Sequence, residues 1–455
     1  MPGRGVASGG DLRTLLARAV AAHRAGGLSE AERLYDLVLA ADPCHGWASY
    51  FRGVLAQEAG ELEAARALYR TACSSPDAAP QFLVTLGNLD LSRGDAANAS
   101  ASFRSAIAKR PDFAAAHTGM SLALKQLGQL EAAAESASRA VQLRRGWAMG
   151  GQSAGLVDPT EAAALRRANR VKLRHDSAQL RYLRQLGRVG SEIDAVIAGL
   201  ETLLARYAAL PDDVSIVELS DADLTLTRYA YNRAIHIAPA PRLPAPALNA
   251  GAFASADAPC VSSPTGFAVV DSALTPAALG SLQRLLTEST IWFEVKDHGG
   301  HLGAYFEEGL ACGLMAQITE EVRALLPRTL GEKRLAQLWA YKYQQGMGGT
   351  ELHADVGAVS LNLWVTPDTA NLDPQGGGLE ILPLVLPPDW DFQRMNVERD
   401  TLRRFAAASG TAPVQIPYRC NRMVVFGARL LHRTAPGHFA DGYINRRTNV
   451  TFLFA

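Results

Sequence analysis

The sequence predicts a multidomain protein, an all-α solenoid of helical hairpins followed by a double-stranded β-helix (jelly-roll) domain with flanking helices. Three observations carry that reading. Near the N-terminus, alanines recur every 34 residues. In the C-terminal part, short stretches rich in β-branched and aromatic residues are separated by Gly and Pro. Within that part stands the only His-x-Asp of the chain, with a further histidine well downstream.

The repeat comes first because it fixes the largest block. Ala31, Ala65, Ala99 and Ala133 keep the 34-residue spacing. Tyr35, Tyr69 and Phe103 follow four residues after the first three, Val38, Ala72, Ala106 and Ala140 seven after, and Ala19, Gly53, Gly87 and Ser121 lie twelve before. Small residues let the two helices of a hairpin approach closely, and the aromatic fills the space beside them. Pro43 and Pro111 close two units, whereas the fourth has Ala137 where an aromatic is expected.

On these residues the segment 12–147 resembles the tetratricopeptide-repeat family, in four units. The resemblance implies a concave surface that receives a protein or peptide partner; a packing spacer is the alternative.

The whole chain sets further bounds. At 455 residues it is long enough for two or three cores. Lys plus Arg and Asp plus Glu each total 45, so no global field favours nucleic acid or an anionic membrane. The five cysteines, Cys44, Cys73, Cys260, Cys312 and Cys420, are scattered without any Cys-x-x-Cys, which fits neither a disulfide framework nor a zinc site. With a Gly-rich start at Met1 to Gly10 and no spanning apolar run, the expectation is a soluble cytoplasmic protein.

Residues 148–265 read as a helical connector and a linker. After the Gly/Ser-rich stretch Met149 to Leu156, Asp158-Pro159-Thr160-Glu161 predicts a helix start and a helix to about Gln185. A second follows from Ser191 to Leu210. Eight basic residues between Arg166 and Arg188 against Asp176 alone form the one marked basic run, read as a solvated amphipathic face rather than a nucleic-acid surface, and His175 reads as a packing residue. Ala238 to Pro264, dense in Pro, Ala and Ser, has the composition of a linker.

Residues 266–455 hold the chemistry. Strands are expected at Gly266 to Asp271, Gln337 to Gln344, His353 to Asp355, Ala358 to Val365, Leu379 to Leu382, Asn421 to Gly427 and Arg447 to Phe454. Thr275-Pro276 predicts a helix to about Thr287, and another is expected over Leu310 to Leu326. In a strand, residues two apart share a face, so His353 and Asp355 can aim an imidazole and a carboxylate at one point. His432, after the apolar run Met423 to Leu431, completes two histidines and one carboxylate, the set that leaves positions open on non-haem Fe(II).

Here the sequence resembles the 2-oxoglutarate/Fe(II)-dependent oxygenase superfamily, in its prolyl-hydroxylase-like and phytanoyl-CoA-hydroxylase-like branches. The match runs through Tyr343-Gln344-Gln345-Gly346 to His353-Ala354-Asp355. It continues in Leu361-Asn362-Leu363-Trp364, in Gly376-Gly377-Gly378-Leu379-Glu380 and in His432 followed by Arg446-Arg447-Thr448-Asn449. The resemblance implies Fe(II) on His353, Asp355 and His432, 2-oxoglutarate as co-substrate, O2, and ascorbate as a possible support.

It also implies a basic residue for the distal carboxylate of 2-oxoglutarate, on the strand after the distal histidine. Arg447 shares a face with Asn449 and Thr451 and is favoured over Arg446, with the choice left open. Tyr343 and Asn362 are second candidates for hydrogen bonds to 2-oxoglutarate, against an ordinary core role. His298 and His301 read as part of a mobile loop near the site, and His438 as a loop residue.

The expected activity is therefore a dioxygenase that hydroxylates a C–H of a protein or peptide substrate recruited by the repeats. Asp355 in the carboxylate position favours hydroxylation over halogenation. The alternatives are an inactive oxygenase fold serving as a protein-binding adaptor, and a hydroxylase of a small metabolite.

Overall fold

The computed structural model describes residues 9–146, 159–257, 263, 265–346 and 349–455. Two compact units divide the chain, Met1–Leu127 and Gly128–Ala455.

The first unit is a run of antiparallel helices: α1 Gly9–Arg24, α2 Leu28–Ala41, α3 Gly46–Glu58, α4 Leu62–Cys73, α5 Pro80–Ser92, α6 Ala96–Lys109 and α7 Ala114–Gln126. Ala31, Ala65 and Ala99 are fully buried, and so are Tyr35, Tyr69 and Phe103. The small-residue column has a steric cause. A Cβ on Gly53 would lie 2.7 Å from the Tyr69 ring, and one on Gly87 2.7 Å from the Phe103 ring. A second column escaped the sequence reading. Gly26, Gly60 and Gly94 turn each hairpin at φ between 78° and 79°, a left-handed conformation that side chains resist.

The second unit begins with α8, Leu130–Arg145, which the sequence assigned to the fourth repeat. Its end is bound within this unit: Arg144 and Arg145 donate to the two carboxylate oxygens of Glu308 at 2.7 and 2.6 Å.

The connector differs from expectation. Asp158 and the Met149 to Leu156 stretch lie outside the described residues. The single helix expected up to Gln185 is two, α9 Pro159–Arg166 and α10 Arg170–Gln185, interrupted by the short strand β1 Arg167–Ala168. The break occurs because Asn169 caps α10, its side chain accepting from the Lys172 amide at 2.9 Å. α11 Ile193–Arg206, β2 Val217–Glu218 and α12 Asp221–Leu226 follow. Seven of the eight residues of the basic run are paired internally. Arg166, Arg170, Lys172, Arg174, Arg181, Arg184 and Arg188 pair with Asp221, Asp213, Asp176, Asp213, Glu201, Asp194 and Glu288.

Within Ala238 to Pro264, the described part is no free spacer. The amides of Ala238, Leu243 and Leu248 donate to Ser289, Gln317 and Glu321 at 3.0, 2.7 and 2.7 Å. Proline and alanine suit an extended strap as well as a linker, and composition does not tell them apart.

Antiparallel sheets dominate the rest. Seven strands hydrogen-bond in the order β3-β10-β7-β12-β6-β5-β4: β3 Phe267–Val270, β4 Glu294–Val295, β5 His301–Tyr305, β6 Leu335–Tyr343, β7 Val359–Trp364, β10 Met423–Gly427 and β12 Thr448–Phe454. A second sheet has the order β11-β8-β9, from β8 Leu379–Val385, β9 Val414–Ile416 and β11 Leu430–Thr434. The apolar run Met423 to Leu431 is thus two strands in different sheets, since Ala428 and Arg429 turn the chain from one layer to the other.

Helices α13 Pro276–Glu288, α14 Gly313–Leu325 and α15 Pro327–Leu330 flank the sheets. Thr275 precedes α13 without capping it through its side chain, which donates instead to the Pro246 carbonyl at 3.3 Å. Between β8 and β9 the chain makes an excursion of two helices, α16 Phe392–Asn396 and α17 Arg399–Ser409. No helix among the described residues is long and apolar enough to cross a membrane.

Candidate metal centre

His353 and Asp355 lie on a loop, where a strand was expected. A single bridge holds them in place, His353 paired with His432 of β11. The backbone bonds run both ways, 3.0 Å from the His353 amide and 2.9 Å from the His432 amide. The bridge brings the imidazole rings to 4.3 Å between centroids. Asp355 then sits 4.0 Å from His353 Nε2 through Oδ1 and 3.7 Å from His432 Nε2 through Oδ2. One ligand atom from each of the three lies within 4.8 Å of the others, the one such cluster of His, Cys, Asp and Glu found among the described residues.

The tautomers suit a metal. His353 Nδ1 is 2.7 Å from the Glu351 carbonyl, and His432 Nδ1 is 2.9 Å from the Leu430 carbonyl. Each carbonyl takes the Nδ1 proton and leaves the Nε2 lone pair toward the centre. Burial, and then the neighbouring His353, bring the His432 imidazole down to about 4, so it is neutral near pH 7. Two imidazoles and one carboxylate fit Fe(II) with coordination positions to spare.

The triad opens into a cavity of about 770 Å³ between the sheets. Tyr343, Asn362 and Asn449 line it, together with Thr451. They form a polar row: Asn449 and Asn362 each donate to Thr451 Oγ1 at 3.3 Å, while Asn362 Oδ1 is buried without a partner among the described residues.

Arg447 is buried beside this row, in a small recess that shares Tyr343 and Thr434 with the cavity. Its guanidinium lies 4.6 Å from the Tyr343 ring centroid and donates to the Gly377 carbonyl at 2.6 Å and to Asn449 Oδ1 at 3.1 Å. No carboxylate pairs with it among the described residues. The glycine run is required by the neighbouring chain, for a Cβ on Gly378 would lie 1.9 Å from the Ile416 carbonyl. Arg446 faces the other way, 6.0 Å from the Tyr443 ring and within the field of Asp176.

The repeats have solved counterparts. YrrB, described as a TPR protein with an unusual peptide-binding site, is 16% identical, with a TM-score of 0.27; the match covers 28% of this chain and 66% of that one, less than two thirds. MamA from Desulfovibrio magneticus is 20% identical over 30% of this chain and 77% of its own, with a TM-score of 0.28. A mutant O-GlcNAc transferase from Thermobaculum terrenum is 27% identical over 32% and 28%, also at 0.28. These matches fall on the N-terminal helical part. No protein-family model and no curated protein matches the chain.

Several cavity residues escaped the sequence reading. On β6, Gln337, Trp339 and Tyr341 alternate onto the cavity wall in step with Tyr343, which the sequence had singled out, a period-two signal that is legible only once this face is known to look at the triad. The excursion contributes Phe392, Asn396, Val397 and Arg399; of these, Phe392 and Val397 stand exposed at the mouth. Asn396 also donates to the carbonyl of Ala354, between His353 and Asp355, at 3.1 Å. Ser360 donates to Asp355.

His301 corrects an expectation. It is no part of a mobile loop but opens β5, paired with Tyr343, buried, with its ring 4.5 Å from that of Tyr341. His298 is exposed beside Asp297, 2.6 Å away. His438 does not line the cavity. His175, as a packing residue, is fully buried, 2.9 Å from Asp176 Oδ1 and edge-on to Trp292 and Tyr443.

Burial holds the His301 imidazole down to about 3, below its unfolded value near 6.5. The unfolded chain therefore binds a proton that the folded chain refuses, so stability is full above about pH 6.5 and falls as pH drops toward 3. Between pH 7 and 5 this one group removes about 2 kcal/mol. His301→Phe keeps the ring and deletes the titration. In metal-free protein, urea unfolding at pH 7 and pH 5 should show the variant losing about 2 kcal/mol less than wild type.

Proposed function

We propose that the chain is an Fe(II)/2-oxoglutarate-dependent dioxygenase that hydroxylates a C–H of a protein or peptide substrate recruited by its helical repeats. The observation that carries the reading is the triad itself: two Nε2 atoms with their Nδ1 protons tied off, and one carboxylate, convergent at the wall of a cavity large enough for a co-substrate and part of a second molecule. The two facing antiparallel sheets, with ligands on β11 and on the loop that bridges to it, support a double-stranded β-helix.

Bound Fe(II), with 2-oxoglutarate and O2, supplies oxidative decarboxylation to succinate and CO2 coupled to hydroxylation, with ascorbate as a supporting reductant. The protein's part is placement. His353, Asp355 and His432 hold the metal, and Asp355 fills a position that a halogenase would leave for halide. Arg447, buried with no acidic partner among the described residues, offers its guanidinium charge to the distal carboxylate, with Tyr343 beneath it. Asn362 and Asn449 offer hydrogen bonds within the same row, and Trp339, Tyr341 and Tyr343 of β6 give the cavity an aromatic wall. The neutral charge balance and the paired basic run weigh against nucleic acid, and no helix among the described residues is long and apolar enough to cross a membrane. The cytoplasm is the proposed setting.

Succinate formation from 2-oxoglutarate with Fe(II) and ascorbate tests the reading. Metal binding with no succinate under any condition would favour an adaptor whose work is done by the repeats. A product found by mass shift among small metabolites rather than proteins would move the substrate class, which the cavity volume also allows.

The two arginines separate in the same assay. Arg447→Ala should raise the 2-oxoglutarate concentration needed for half-maximal turnover by at least tenfold, since an unpaired carboxylate costs about 2 to 5 kcal/mol. Arg446→Ala, compared at equal folded fraction, should leave that concentration unchanged within about twofold.

A further inference from the structure

The two histidines of the triad are steered by backbone carbonyls, but a carboxylate has two equivalent oxygens and can offer a metal either one or both. One side-chain hydrogen bond breaks the symmetry at Asp355. Ser360 donates its hydroxyl to Oδ2 at 2.5 Å, the oxygen that lies 3.7 Å from His432 Nε2, while Oδ1, 4.0 Å from His353 Nε2, accepts no side-chain hydrogen bond among the described residues. Ser360 is fully buried, and its strand is central: across it stand Phe426 of β10 on one side and Leu453 of β12 on the other. A hydroxyl fixed on a strand paired along both edges has little room to move away. The backbone of Asp355 is fixed as well, its amide donating to the Ala428 carbonyl at 2.9 Å. What Ser360 controls is therefore the remaining freedom, rotation of the carboxylate about its own axis.

We propose that Ser360 is a positioning residue that engages one oxygen of Asp355 and so reserves the other for the metal; the proposal rests on the reading that the triad holds Fe(II). The physical consequence is a coordination count. A carboxylate bound through both oxygens occupies an extra position, one that a chelating co-substrate and O2 would need. A charge-assisted hydroxyl bond of this length is strong enough to set the preference. Removal of partners that orient metal ligands commonly lowers metal affinity about 10- to 100-fold.

Co(II), a spectroscopic stand-in for Fe(II), makes the test independent of activity. It is titrated into metal-free wild type, Ser360→Ala, Ser360→Thr and Ser360→Val, with affinity and visible ligand-field bands as readouts. Thr and Val match in volume and differ in the hydroxyl, so their comparison stands even if alanine disturbs packing. We expect wild type and Ser360→Thr to agree within about threefold. Ser360→Ala and Ser360→Val should bind about 10- to 100-fold more weakly and with altered bands. Equal affinity and identical bands for the Thr and Val variants would overturn the role of Ser360 while leaving the metal centre standing. Failure of the wild-type protein to bind Co(II) or Fe(II) at all would overturn the metal centre itself, and this proposal with it.

Discussion

His353→Ala and Asp355→Ala should each abolish Fe(II) binding and succinate formation while leaving the fold intact. Each removes one of the three groups proposed to hold the metal, and neither residue is part of a regular strand or a hydrophobic cluster. With two ligands left, the chelate is lost and binding falls to the level of a surface pair of groups. The fold survives because the His353–His432 bridge is made by backbone atoms, which alanine keeps. Calorimetric Fe(II) titration under anaerobic conditions, with far-ultraviolet circular dichroism as the check on folding, measures both. Undiminished succinate formation by either variant would refute the metal assignment.

A chain beginning near Ser262 should fail to fold as a soluble domain, although the sequence alone suggests a clean cut there. The connector and the sheets belong to one compact unit. Gln179 of α10 donates to the Ser289 carbonyl at 2.9 Å and to Tyr443 Oη at 2.8 Å, and His175 packs on Trp292. Lys342 of β6, on the face away from the cavity, completes the cluster through Tyr443 Oη at 2.9 Å and the Trp292 ring at 4.3 Å. Arg145 covers Phe293 at 4.2 Å. Uncovering even half of the Trp292 and Phe293 surfaces costs about 5 kcal/mol, comparable with the whole stability of many domains. The shorter chain should appear in inclusion bodies or as an aggregate by size exclusion, whereas one beginning at Gly128 should be monodisperse. A soluble, cooperatively unfolding product from Ser262 would show the connector to be dispensable.

What the sequence determined by itself is of two kinds. The solenoid was legible because its contacts are local: a 34-residue period writes the Ala31 and Tyr35 columns into the chain, and each contact lies within a hairpin or its neighbour. The candidate cluster was legible because chemistry restricts its residue types, leaving a single His-x-Asp and a distal His432, which the fold brings together. Strand alternation also placed Arg447, Asn449 and Thr451 on one face, since period two holds whatever the strand pairs with.

Only the tertiary structure decided the rest. The apolar run ending at Leu431 splits between two sheets, and the bridge between His353 and His432 joins residues far apart in sequence. Ser360, His301 and Asn396 acquire their roles from that closure; their immediate neighbours in the chain carry no sign of it. The strap over Ala238 to Asp257 is fixed by Gln317 and Glu321 on α14, so composition read as linker becomes part of a packed unit. The physical reason is common to all of these. Periodicity reports the environment a residue repeats, whereas non-local pairing is settled by which surfaces can be buried together without leaving a polar group unsatisfied.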